Sequence, residues 1–156
     1  MDRSRIMKIL LVDDDPYGVD LMLEAMEGSE AMEGSDIQTQ ITVLKDGVEA
    51  MQYLKDCENS PTCEEPDFIF LDLNMPRKDG RQVLRELKGD PKLSHIPVAV
   101  LTTSTQEDDI ADSYRLHANC FITKPETIEG LIKMLDSVQS FWFRTVVLPG
   151  AGISFR

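Results

Sequence analysis

The chain has 156 residues, 42% hydrophobic and 28% charged, enough apolar material for one ordinary domain with a packed core. Asp and Glu number 28 against 16 Lys and Arg, a net charge of −12, which argues against a DNA-binding surface, since that needs a basic patch, and suits basic protein faces or cations. No apolar stretch approaches the ~20 residues of a membrane span, and the N-terminal MDRSRIMKILLVDDD turns acidic too soon to be a signal peptide.

The first apolar run, MKILLV at 7–12, predicts a strand and ends in Asp13, Asp14 and Asp15. Like charges ~4 Å apart in a partly shielded site cost on the order of 4 kcal/mol per pair, so a compensating group is expected. Asp15 precedes Pro16 and reads as a helix N-cap. The helix follows in Val19, Met22, Leu23 and Met26, spaced i, i+3, i+4, i+7. Residues 24–35, EAMEGSEAMEGS, repeat a hexapeptide in tandem. Two copies are too few for a solenoid and are read as lengthening this helix or its loop.

A second run, QITVL at 40–44, leads to a short helical pattern over Val48–Leu54 and then DCENSPTCEEP at 56–66, an exposed loop by composition. Cys57, Cys63 and Cys120 have no metal-like spacing and predict reduced thiols in a cytosolic protein. The third run, DFIFLDL at 67–73, contains Asp72, an expensive place for an unpaired carboxylate. Pro76 and Asp79-Gly80 mark a turn before a helical pattern at Val83–Leu87. The fourth run, IPVAVLTT at 96–103, ends in Thr102 and Thr103; Ser104-x-x-Glu107 then predicts a capping box. The stripe of that helix, Ile110 and Tyr114, is thin, so it should bury little. NCFIT at 119–123 ends in Lys124-Pro125, and Ile128, Leu131, Ile132 and Leu135 outline a last helix.

Five βα units with continuous rather than alternating apolar runs imply an α/β fold, a doubly wound five-stranded parallel sheet with helices on both faces. Ligand chemistry in such sheets gathers at the carboxyl ends of the strands. There stand Asp13 and Asp14, Asp72, Thr102 and Lys124. Grouped carboxylates make a hard oxygen site suited to Mg²⁺, which would offset their repulsion. Lys124 is expected to pair with Asp72 or with an added phosphoryl oxygen, Thr102 to donate to that phosphoryl group, and one carboxylate to act as nucleophile towards phosphorus. Singly, each has a plain alternative: a solvent-facing acid, a turn cap, a β-branched strand residue, a surface lysine.

The pieces LLVDDDP, FIFLDLNMPRKDG, VAVLTTS and CFITKP, in this order, resemble the receiver domain of two-component response regulators over about residues 6–140. The resemblance implies a flavodoxin-like fold with strand order 2-1-3-4-5. It implies Asp72 as acceptor of a phosphoryl group from a sensor histidine kinase. Mg²⁺ would be held by Asp13, Asp14, Asp72 and the backbone carbonyl of Asn74. Thr102 and Lys124 would be the switch hydroxyl and active-site lysine, and Phe121 the aromatic switch residue. Lys124-Pro125 becomes a candidate cis bond. Two departures stand out: Phe121 lacks the hydroxyl many members carry, and the loops at 28–38 and 56–66 look long. LKGDPKLSHIPVAVLTTS, SYRLHANCFITKP and FWFRTVVLP resemble the stand-alone regulators that partner phytochrome-type kinases.

These likenesses predict a receiver domain over 1–143 and an apolar tail over 144–156 with no output domain. Signalling is expected through the face of the fourth helix, fifth strand and fifth helix. The protein would be cytoplasmic, bind neither nucleic acid nor membrane, and be no enzyme beyond slow loss of its own phosphoryl group. The tail either packs on its own core or joins that face in a homodimer anchored by Phe141, Trp142 and Phe143. A phosphatase of the aspartate-nucleophile type would want a second aspartate where Asn74 stands; the remaining alternative is a receiver-like binding module that is never phosphorylated.

Overall fold

The computed structural model describes residues 5–29, 37–75 and 77–149. Strands and helices alternate: β1 (Arg5–Val12), α1 (Pro16–Glu27), β2 (Ile37–Leu44), α2 (Gly47–Asn59), β3 (Phe68–Leu71), α3 (Gly80–Gly89), β4 (Val98–Thr102), α4 (Glu107–Arg115), β5 (Cys120–Thr123) and α5 (Ile128–Val138). A π-helical segment, Gln139–Thr145, continues α5. The strands form one parallel sheet in the order β2-β1-β3-β4-β5, as the sequence predicts.

The sheet separates two apolar layers. On one face Leu10, Val12, Ile69, Leu71, Val98 and Val100 pack with Leu54 of α2 and Leu84 and Leu87 of α3. On the other, Met7, Ile9, Leu11, Phe68 and Phe70 pack with Val19, Met22 and Met26 of α1 and Leu131 and Leu135 of α5. Every residue of β3 and β4 is buried, which is why these runs show no alternation. Burying an aliphatic or aromatic side chain contributes about 1.5–3 kcal/mol, so the core stripes carry most of the folding drive.

Asp15 caps α1, its carboxylate accepting from Tyr17 N–H at 3.2 Å, with Pro16 at the first helical position. Thr127 caps α5, and Asp79 caps α3 in a capping box with Gln82. Within α4 only Ser113 is buried, in line with its thin stripe. No helix among the described residues is long and apolar enough to cross a membrane.

Several expectations are corrected. The Ser104 capping box does not form: α4 starts after Gln106 without a side-chain cap, because the Ser104 hydroxyl donates to Asp109 at 2.5 Å. Residues 56–59 belong to α2 rather than to a loop. Its last turns bring Cys57 within 4.9 Å (Cα–Cα) of Cys63, and the two are disulfide-bonded, leaving Cys120 free; the reading of three reduced thiols misses this chain reversal. Lys124–Pro125 is trans, as is every described peptide bond, the ordinary preference of an X–Pro bond. Of the duplicated hexapeptide, 24–27 complete α1 and Gly28 caps it; positions 30–36 lie outside the described residues. Phe143 and Leu148 are buried in the α1/α5 layer, so Phe143 is no exposed anchor, while Phe141 is 51% exposed. The tail beyond Pro149 lies outside the described residues.

Candidate functional site

The backbone itself assembles the site by extending the parallel ladder one step past the strand ends. Asp13 N–H donates to Leu44 O at 3.0 Å, Asp72 N–H to Val12 O at 3.0 Å, and Lys124 N–H to Thr102 O at 2.7 Å. Strands β2, β1, β3, β4 and β5 therefore finish level, and Asp13, Asp72, Thr102 and Lys124 meet above the sheet edge.

A lysine resolves much of the repulsion among the three aspartates. Asp13 is 4% exposed; one carboxylate oxygen receives Lys124 Nζ at 2.7 Å, the other the N–H of Asp15 at 3.0 Å. Lys124 thus pairs with Asp13 and not with Asp72, a correction to the first expected pairing: Asp13 is the more deeply buried charge. Asp14 and Asp15 are exposed, and Asp15 is occupied as a cap.

Asp72 is left short of partners. Its carboxylate accepts from Asn74 N–H at a long 3.4 Å and from the Thr102 hydroxyl. Burial, then the negative charge of Asp13, push its pKa up to about 6, against the pull of Lys124 and these two hydrogen bonds. Oxygens of Asp13, Asp14 and Asp72 lie within 4.8 Å of one another. Three hard oxygens crowded around one unbalanced negative point fit a small divalent cation, which takes a few carboxylates and keeps waters for phosphate. A cleft of about 230 Å³ over Lys8, Tyr53 and Glu64 involves none of these aspartates.

Glycine is required just behind Asp72. A Cβ on Gly80 would lie 2.3 Å from Asp72 O, so α3 can begin against the Asp72 loop only with hydrogen there. Thr102 is fully buried and its hydroxyl oxygen receives Ser104 N–H at 3.5 Å. Phe121 is half-buried on β5, and its N–H donates to the Tyr114 hydroxyl at 3.1 Å. Sequence reasoning misses a network beside the site. Asp109 on α4 accepts from Ser104 and from the Arg81 guanidinium of α3. Its members are scattered along the chain, so no spacing signals it.

Residues 9–136 match the family described as the response regulator receiver domain. The chain belongs to the response regulator receiver family. This receiver is 42% identical over 153 residues to the response regulator Rcp1 of Synechocystis sp., covering 96% of this chain and 99% of that one. Among solved structures it is similar to the phosphorylated cyanobacterial phytochrome response regulator RcpA, with a TM-score of 0.81, 42% identity, and 92% and 99% of the two chains covered. It is also similar to the Mn²⁺-bound form of Rcp1, with a TM-score of 0.78, 44% identity and the same coverage. The likeness to phytochrome-associated regulators, read from the motifs, is borne out, as is the flavodoxin-like sheet.

Proposed function

We propose that this receiver takes a phosphoryl group onto Asp72 from a sensor histidine kinase, with phytochrome-type kinases the class suggested by Rcp1 and RcpA. The observation that carries the reading is Asp72 itself: a half-buried carboxylate, weakly bonded and raised to about 6, beside Asp13, Asp14, Thr102 and Lys124. Asp13, Asp14, Asp72 and the Asn74 carbonyl would hold Mg²⁺. When bound, the cation supplies positive charge against the transferring phosphoryl oxygens. An ionised Asp72 oxygen attacks phosphorus; the new P–O bond forms as the bond to the kinase histidine breaks, leaving an acyl phosphate. Lys124 Nζ would turn from Asp13 to an oxygen of the incoming phosphoryl group. Thr102 exchanges its bond to Asp72 for one to that group, and Phe121 packs in behind it. The output is a changed α4–β5–α5 face, consistent with the small buried area of α4. Slow hydrolysis of the acyl phosphate resets the protein in the cytoplasm.

The test is acetyl phosphate with Mg²⁺, read by intact mass. Wild type gains one phosphoryl group and Asp72→Asn none; an equally labelled Asp72→Asn protein would refute the assignment. A homodimer through the α4–β5–α5 face and tail would use Phe141 rather than the buried Phe143. Sedimentation of Phe141→Asp should then show monomer where wild type shows dimer.

A further inference from the structure

We infer that Arg77, Asp46 and Gly47 form a brace that holds the acceptor loop and so sets the affinity of the acidic site for a divalent cation. The inference rests on the metal-dependent reading above and names positioning residues for it. In the described part of the loop from Asp72 to Asp79, Asn74 N–H reaches Asp72 at 3.4 Å and Gly80 N–H closes the loop on Leu73 O at 2.8 Å. Its far end is docked on the turn between β2 and α2. The Arg77 guanidinium donates to the Asp46 carboxylate. The Lys78 carbonyl lies so close over Gly47 that a Cβ there would be 2.3 Å from its oxygen.

Two features mark this contact as more than a surface ion pair, which ordinarily contributes little. Arg77 has φ 65°, a left-handed conformation that an arginine adopts only when its surroundings hold it there. Asp46 is itself buried and fixed, capping α2 through Glu49 N–H at 2.9 Å. Glu49 N–H and the Arg77 charge together hold its carboxyl below the usual carboxylate range. The same turn reaches the other half of the site, for Leu44 O, two residues before Asp46, anchors the N–H of Asp13. One short segment, Leu44–Gly47, thus registers the Asp13–Asp14 acids against the Asp72–Asn74 loop.

The experiment titrates metal-free full-length protein with Mn²⁺, counting free ion by electron paramagnetic resonance, alongside thermal unfolding without metal. Charge alone predicts that Arg77→Met tightens binding, since it removes a cation near the acids. The brace predicts the opposite: a dissociation constant raised about tenfold, the scale seen when outer-shell supports of metal ligands are lost. Arg77→Lys should recover part of the affinity. Asp46→Asn should weaken binding less in the Arg77→Met background than in wild type, because the two act through one contact. Affinity unchanged or tightened in Arg77→Met would overturn the brace. So would weakened binding together with loss of the native melting transition, since the pair would then hold the fold rather than the loop. Wild type without Mn²⁺ affinity would instead remove the metal-dependent reading, and the brace with it.

Discussion

The two ends of the sheet solve opposite problems. At the start of β3, Phe68 is fully buried and meets Phe70, Trp142 and Phe143 at ring-centroid distances of 5.2, 5.4 and 5.7 Å. At the far end of the same strand, Asp72 is half-buried beside Asp13, whose carboxylate holds Lys124. The aromatic end is satisfied by its own packing, with edge and tilted rings. The acidic end gathers three carboxylates around one lysine, and burial and the charge of Asp13 push the pKa of Asp72 up to about 6. Such a division lets the protein respond to a ligand at one end without risking its core at the other.

The largest effect should come from the aromatic end. Phe68→Ala removes a fully buried ring and should lower the unfolding free energy by about 3–5 kcal/mol, measured by urea titration, with the Mn²⁺ affinity of the folded fraction unchanged. A matching loss of metal affinity would break the separation between the ends. Next, Lys124→Met leaves Asp13 buried without its cation and should cost about 2 kcal/mol without metal. Saturating Mg²⁺ should return part of that loss in the variant. If added Mg²⁺ stabilises wild type and variant equally, the ion does not share Asp13 with Lys124.

A smaller effect has the opposite sign. The pKa of Asp72 is raised from 3.8 to about 6, so between these values the folded state holds a proton that the unfolded chain has lost. The stability associated with that proton is complete below pH 4 and is lost as pH rises through about 6. Asp72→Asn escapes the loss and should be the more stable protein at pH 7 without metal, by on the order of 1 kcal/mol after discounting for solvent screening. The advantage should vanish near pH 4. A variant less stable than wild type at pH 7 would show that Asp72 is better compensated than its surroundings indicate.

The contrast between the ends also explains what could be read from the chain. The strands, the α1 cap at Asp15 and the stripes of α1 and α5 are local patterns, and the structure keeps them. The site could be assembled from motifs because each of its groups ends a strand, and parallel strands in this order must finish together. What stayed hidden depends on chain reversals or on contacts across long separations. Cys57 and Cys63 are joined because α2 runs on to Asn59 before turning back. Ser104 abandons its expected cap for Asp109, which also holds Arg81. Lys124 prefers Asp13 to Asp72 because Asp13 is the deeper charge. Arg77 finds Asp46 across 31 residues, and no periodicity connects them.

The smallest expected effect probes the boundary between the two ends. Trp142 is the single tryptophan, half-buried against Phe68 and edge-on to the exposed Phe141 at 5.4 Å. The proposed Mg²⁺ site lies at the other end of β3, across a strand whose side chains are all buried. Close-packed interiors do not deform smoothly, so settling the acids should leave the ring environment, and hence the emission maximum, unchanged. Dilution is a different perturbation. If a second copy covers Phe141, separating the copies exposes the edge of the indole and shifts its emission to the red, whereas a monomer shows no concentration dependence. A Mg²⁺-dependent shift at constant protein concentration would mean that the aromatic end takes part in the response.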